Sequence, residues 1–100
     1  MGDSAAPLIE FCDIENNKCS GIQVCTANYC DIRKNNIIGN FDGIEVISAD
    51  PKIIRNVISR NSNNGIVTRT VDDLVCQPKI ELNVINSNSG NGIMCTGYNN

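Results

Sequence analysis

A chain of 100 residues has room for one small domain, and its net charge of −3 offers no basic footprint for nucleic acid or an anionic membrane. The 15 Ile, 7 Val and 4 Thr outnumber the 3 Leu and 4 Ala, which predicts strands and excludes a helical bundle. Histidine is absent, which excludes Ser-His-Asp and Cys-His nucleophilic sites and mixed Cys/His zinc centres.

The predicted elements follow an internal repeat. After residues 1–6, which we expect to be disordered, residues 7–100 divide into four coils at about 7–28, 29–50, 51–77 and 78–100. Each coil carries the frame Ile-x-x-Asn-x-Ile-x-x-Asn followed by Gly-Ile, with Cys12 in place of the first asparagine of the first coil. Three isoleucine columns result: Ile9/Ile32/Ile53/Ile80, Ile14/Ile37/Ile58/Ile85 and Ile22/Ile44/Ile66/Ile93.

A repeat of about 22 residues with three short strands is typical of one coil of a parallel β-helix. Coils stack about 4.8 Å apart, so equivalent residues lie above one another and the isoleucine columns face inward. A fourth inward column is Val24, Val46, Thr68 and Cys95. We therefore predict an all-β fold, a solenoid of about four coils.

Asparagine and glycine mark the predicted corners. Stacked asparagine side chains can hydrogen-bond from coil to coil, which predicts a structural ladder of Asn35, Asn56, Asn83, Asn40, Asn61 and Asn88. The glycine before the third isoleucine column is expected to supply a corner with positive φ.

Segments Asp50–Ile66 and Pro78–Ile93 carry this repeat most regularly, and the sequence resembles the right-handed parallel β-helix of the pectate-lyase-like superfamily. The repeats are most similar in style to those of β-helical F-box adaptor proteins and of periplasmic copper-reductase-associated β-helix proteins. The resemblance implies the fold over about residues 7–97. It covers both enzymes and binding scaffolds, so it leaves activity open.

The candidate catalytic groups are acidic. Asp72 and Asp73 lie in an insertion that begins at Arg69, and such a pair could hold calcium or divide acid and base roles. Solvated charges on a surface loop are the alternative that we favour. Asp42 and Glu45 form a second candidate, equally well explained as a turn residue and an outward strand residue. We therefore predict no catalytic residue and no cofactor.

The six cysteines contain no Cys-x-x-Cys pair, which disfavours a structural zinc site, and we predict no bound metal. Disulfides of a secreted chain are an alternative, but the first residues lack the basic and apolar regions of a signal peptide. We favour reduced structural thiols, with Cys95 buried in the fourth inward column.

Basic residues recur beside the first isoleucine column and predict a loose basic stripe, with Asp31 and Glu81 interleaved. Its members are Arg33, Lys34, Lys52, Arg55 and Lys79. Solvated side chains explain the stripe simply, whereas the functional interpretation is a groove for an acidic protein segment or an anionic glycan. The predicted binding residues are Lys52, Arg55, Lys79, Arg69, Asp72 and Asp73.

Two function classes follow. The first is a non-catalytic protein-interaction scaffold in the cytoplasm, which the resemblance links to target binding by F-box adaptors of ubiquitin ligases. The alternative is an extracellular β-helix that binds or cleaves carbohydrate. No transmembrane segment is expected, since no apolar run approaches about 18 residues. Because the predicted coil ends lack caps, we expect a piece of a longer solenoid.

Overall fold

A computed structural model describes residues 8–25, 30–70 and 78–96. The predicted disordered stretch 1–6 and residues 71–77 of the insertion lie outside these ranges. Every regular element in the described ranges is a strand of three or four residues. The strands are β1 Leu8–Glu10, β2 Asp13–Glu15, β3 Ile22–Cys25, β4 Asp31–Arg33, β5 Asn36–Ile38, β6 Ile44–Ile47, β7 Lys52–Ile54, β8 Val57–Ser59, β9 Ile66–Arg69, β10 Lys79–Glu81, β11 Val84–Asn86 and β12 Ile93–Thr96.

Three parallel sheets form the walls of the solenoid, and each coil contributes one strand to each wall. Sheet A has the order β1-β4-β7-β10, sheet B has β2-β5-β8-β11 and sheet C has β3-β6-β9-β12. The registers pair isoleucine with isoleucine, for example Ile37 with Ile58 and Ile58 with Ile85. The predicted all-β parallel solenoid and its isoleucine columns are confirmed.

The core lies between the three walls and is filled by the isoleucine columns, because alternate residues of each strand point inward. In the two middle coils the inward isoleucines have no exposed surface. At the end of the stack the third isoleucine column is open to solvent, and Ile93 is 45% exposed. Cys95 keeps its predicted register against Thr68, yet it is exposed and not buried as predicted, because no further described coil covers β12.

The residues immediately before the asparagine columns have a left-handed backbone conformation, and only one of these eight residues is a glycine. In the first such column φ lies between 58° and 60°, at Phe11, Lys34, Arg55 and Leu82. The second column has Asn16, Gly39, Arg60 and Ser87, with φ between 56° and 78°. A left-handed residue that is not glycine costs about 1–2 kcal/mol, so these corners depend on the packing around them.

The sequence predicted that the glycines before the third isoleucine column supply corners with positive φ, and this prediction is wrong. None of the four has a positive φ, and what they provide is close approach between coils. A Cβ on Gly43 would lie 2.5 Å from the carbonyl oxygen of Gly65 and 2.6 Å from a methyl group of Ile58, both in the next coil. Glycine is needed because a side chain would hold neighbouring coils apart.

Candidate binding face

The outward surface of sheet A, together with the left-handed corner that follows it, is called face A. Lys79 lies directly beside Lys52 in the register of β7 and β10, and Asp31 lies on the other side of Lys52. Arg55 occupies the corner that ends β7 and is exposed, with Lys34 in the same column one coil earlier. The structure thus brings together three of the predicted binding residues: Lys52, Arg55 and Lys79.

Acidic residues offset part of the charge of face A. Arg33 donates to Asp31 at 3.4 Å, and the Lys79 ammonium lies 3.7 Å from Glu81. Both pairs are at least partly exposed, so each contributes at most about 1 kcal/mol to stability. Interleaving of Asp31 and Glu81 with the basic stripe is therefore as predicted.

Arg69 does not join face A, because its strand belongs to sheet C. Its Nε donates to Oε2 of Glu45 at 3.0 Å, and Oε1 of the same carboxylate accepts hydrogen bonds from Ser20 and Gln23, each at 2.9 Å. Burial alone would raise the pKa of Glu45. The hydrogen bonds and the positive charge of Arg69 outweigh this effect, so the pKa lies below its ordinary value of 4.5.

The cluster of Ser20, Gln23, Glu45 and Arg69 was not predicted from the sequence, although the sequence contains a signal for it. Gln23, Glu45 and Val67 form one outward column of sheet C, and Arg69 lies in the next outward column. Reading the outward columns as well as the inward ones would have placed these side chains side by side.

Asp42 is part of the framework and is only 3% exposed. Its Oδ1 accepts hydrogen bonds from the backbone N–H of Asn64 at 3.0 Å and from the side chain of Asn63 at 3.1 Å. Oδ1 of Asn64 in turn accepts the backbone N–H of Asn91 at 2.8 Å. Asp42 thus begins a third polar ladder, which supports the predicted turn role over a catalytic one.

The asparagine side chains of the two predicted columns hydrogen-bond from coil to coil. Their oxygens accept from the preceding coil, whereas the oxygens of the Asp42 ladder accept from the following coil. Each amide oxygen accepts the side-chain and the backbone N–H of the asparagine one coil earlier, as Asn61 does from Asn40 at 3.3 and 2.9 Å. The remaining side-chain N–H donates to a carbonyl in the preceding coil, as Asn61 does to Ile37 at 3.4 Å. At Cys12 only the backbone N–H joins the ladder, donating to Oδ1 of Asn35 at 2.9 Å, while the thiol donates to the carbonyl oxygen of Glu10 at 3.4 Å.

Five cysteines lie in the described ranges, and all five are free thiols. Four are exposed, whereas Cys30 is buried, and burial together with the charge of Asp31 raises the pKa of its thiol above the ordinary 9.0. No group of three or more Cys, Asp or Glu side chains suited to a metal ion occurs in the part of the chain that the structure describes. Cys76 lies outside that part.

Asp72 and Asp73, the predicted carboxylate pair, lie outside the described residues. Within residues 8–25, 30–70 and 78–96 there is no helix with the length and apolar character that crossing a membrane requires.

Comparison with known proteins indicates the same β-helix fold as the geometry of the three sheets. A family model described as the right-handed beta helix region matches residues 1–100. No curated protein and no solved structure matches the chain, so the resemblance to F-box adaptors and to copper-reductase-associated proteins stays a prediction. Three parallel walls in register and a family match over the full sequence place this chain in the right-handed β-helix family.

Proposed function

We propose that the protein is a non-catalytic interaction scaffold whose face A binds an extended acidic segment of a partner protein. The observation that carries the proposal is the register pair Lys52 and Lys79, two like charges on neighbouring strands, with Arg55 at the adjoining corner. Like charges directly opposite in a sheet are destabilising, and the neighbouring carboxylates Asp31 and Glu81 offset part of this cost. Carboxylates of a bound segment would offset it further.

The rigidity of the solenoid also supports an extended partner. Parallel strands hold Lys52 and Lys79 about 4.8 Å apart, and neither position can move without breaking the sheet. A preformed face of this kind loses little conformational freedom on binding, which favours affinity. A segment lying across β7 and β10 would meet both ammonium groups in succession.

The second candidate pair of carboxylates, Asp42 and Glu45, supports a scaffold role over catalysis. Asp42 is engaged in a corner ladder, and both oxygens of Glu45 accept hydrogen bonds from neighbouring side chains. The lowered pKa of Glu45 is opposite to the raised value that a general acid requires.

At a finer level, we infer that the β-helix presents a target-binding face in the manner of the F-box substrate adaptors that its repeats resemble. A cytoplasmic location and a link to the ubiquitin pathway belong to the same proposal. The resemblance of repeat style supports them.

Binding of a fluorescent peptide rich in Asp and Glu, followed by anisotropy, tests the proposal. We expect binding that weakens with added salt, and at least a tenfold loss of affinity in the double variant Lys52→Glu/Lys79→Glu. The matched control is Lys18→Glu/Arg60→Glu, which makes the same change of net charge at exposed residues away from face A. Equal weakening in the two variants, or no binding by the original chain, contradicts the proposal.

A polysaccharide assay addresses the carbohydrate alternative directly. The purified protein is incubated with polygalacturonate, and released oligosaccharides are measured. Product formation that Asp72→Ala abolishes would contradict a non-catalytic role. We expect no product.

A further inference from the structure

Four apolar side chains lie on the surface beside the basic residues of face A. Val57 and Val84 are partners in the register of β8 and β11 and point outward, 37% and 52% exposed. Leu82 occupies the left-handed corner next to that of Arg55 and is 68% exposed. Ile54, an outward residue of β7, is half-buried. We call Ile54, Val57, Leu82 and Val84 the apolar cluster, and the exposed Arg55 lies among them.

Further coils at either end of the solenoid would leave the outward side of the apolar cluster open to solvent. Coils stack along the solenoid axis, whereas the outward columns point away from that axis. Val57 shows this directly, because β5 and β11 flank its strand on both sides and its side chain still reaches solvent. Arg55, in the same coil, is exposed as well. The exposure of the cluster is therefore a property of the walls and not of the ends of the stack.

Folding alone does not account for the apolar character of these positions. The outward column of Val57 and Val84 holds Asp13 and Asn36 in the first two coils, so polar residues are compatible with the same fold. Leu82 has a φ of 58°, a conformation that favours Gly or Asn, and most of its side chain meets water. A leucine at this corner therefore contributes little to the stability of the fold.

We propose that the apolar cluster receives a large aliphatic side chain of the same partner segment whose carboxylates meet Lys52 and Lys79, an inference that rests on the function proposed for face A. The partner is then an acidic segment that also carries a residue such as leucine. Removal of that side chain from water adds an apolar contribution to an electrostatic one. Face A would thus discriminate between acidic segments that carry the apolar residue and those that do not.

The spacing of the basic and apolar residues predicts the spacing of the partner's side chains. Leu82 follows Lys79 by three residues, which is about 10 Å at about 3.3 Å per extended residue. An extended segment that passes from the lysines to the corner would therefore carry its apolar residue about three positions from an acidic one. Glu81 lies between Lys79 and Leu82 and would repel a carboxylate placed beside it, so the segment needs an uncharged residue there.

The charges around the apolar cluster oppose its occupation by a second copy of this chain. Two copies that paired their clusters about a two-fold axis would bring Lys52, Arg55 and Lys79 against the same residues of the other copy. Juxtaposed like charges suppress such contacts, whereas an acidic segment meets opposite charge at these positions. Charge complementarity therefore favours an acidic partner.

Fluorescence anisotropy with two labelled synthetic peptides tests the proposal. The leucine peptide, Leu-Gly-Ser-Asp-Glu-Asp-Gly-Ser-Leu, places a leucine three positions from an aspartate in either chain direction. The serine peptide has serine in place of both leucines and the same charge. We expect the original chain to bind the leucine peptide about tenfold more tightly, as expected for burial of one leucine side chain.

The variant Leu82→Ser should lower affinity for the leucine peptide about tenfold and leave affinity for the serine peptide unchanged. The matched control is Phe41→Ser, which removes an apolar side chain that is 47% exposed between β5 and β6, away from face A. It should keep the preference for leucine. Val84→Thr retains a β-branched residue in the strand and should reduce the preference severalfold, so the test stands even if Leu82→Ser lowers the melting temperature.

The serine peptide separates this inference from the function of face A on which it rests. Equal affinity of the original chain for both peptides, or a preference that survives both Leu82→Ser and Val84→Thr, overturns the inference, while salt-sensitive binding of the serine peptide still supports face A. Failure of both peptides to bind contradicts both proposals. Dimers of the original chain in sedimentation velocity that Leu82→Ser abolishes would identify a second copy as the occupant and would likewise overturn the inference.

Discussion

The side-chain N–H of Asn56 donates to Oδ1 of Asn83 at 3.0 Å, and the same oxygen accepts the backbone N–H of Asn56 at 2.8 Å. One asparagine thus satisfies both the side chain and the corner backbone of its neighbour in the preceding coil. Asn56 is 1% exposed, so neither donor has water as an alternative partner. Buried groups of this kind are costly to leave unpaired, and the ladders therefore fix how the coils stack.

Replacing Asn56 with alanine should lower the free energy of unfolding by about 2–4 kcal/mol. The variant removes the oxygen that accepts two N–H groups of Asn35 and the donor to Ile32, and buried polar groups left unpaired cost about 1–3 kcal/mol each. Urea unfolding followed by circular dichroism measures the change. Asn36→Ala is the control, since Asn36 is exposed and its side chain donates only to the Asp13 side chain in the described contacts. Similar losses in both variants would contradict the structural role of the ladder.

Ile58→Asp should unfold the stack, whereas Val57→Asp should cost less than about 1 kcal/mol. Ile58 has no exposed surface and lies between Ile37 and Ile85, so a carboxylate there would be buried without a partner. Val57 is the preceding residue and points outward, 37% exposed. Thermal melts of the two variants make the comparison, and equal tolerance of both substitutions would show that the register is wrong.

Stability should fall as the pH is lowered below the ordinary pKa of a glutamate, and Glu45 should account for part of the fall. Its pKa is lowered in the folded state, so the unfolded chain binds more protons between the folded and the unfolded pKa. The stabilisation is therefore present above pH 4.5 and is lost as the pH falls through the folded pKa. Urea unfolding at several pH values should show a shallower dependence for Glu45→Gln. An identical dependence would exclude the proposed role of the carboxylate.

Cys30 should resist alkylation in the native protein, while Cys12, Cys19, Cys25 and Cys95 should react. Burial shields the Cys30 thiol and raises its pKa, and the thiolate is the reactive form. Iodoacetamide labelling with mass spectrometry of the peptides gives the order of reaction. After denaturation without a reducing agent, six free thiols should titrate. A reproducible disulfide in freshly isolated protein would instead favour a secreted β-helix.

The inward half of the fold could be predicted from the sequence because stacked coils repeat identical environments. Ile53 and Ile80 occupy equivalent positions in their coils and meet in the sheet, so a periodicity along the chain becomes a contact in space. The same logic predicted the ladders and the neighbouring positions of Lys52 and Lys79. It also predicted the register of Cys95, but not its exposure, since burial at that position depends on a further coil that the repeat itself does not specify.

The sequence by itself determined the number of strands per coil, their register and the identity of the inward columns, because each depends on spacing alone. Tertiary structure decided which outward residues meet. It placed Arg69 on Glu45 and away from Lys52, since the two basic residues lie on different walls of the solenoid. It also revealed that Gly43 serves close approach and not a left-handed turn. Both outcomes depend on distances between coils, which a linear pattern does not contain.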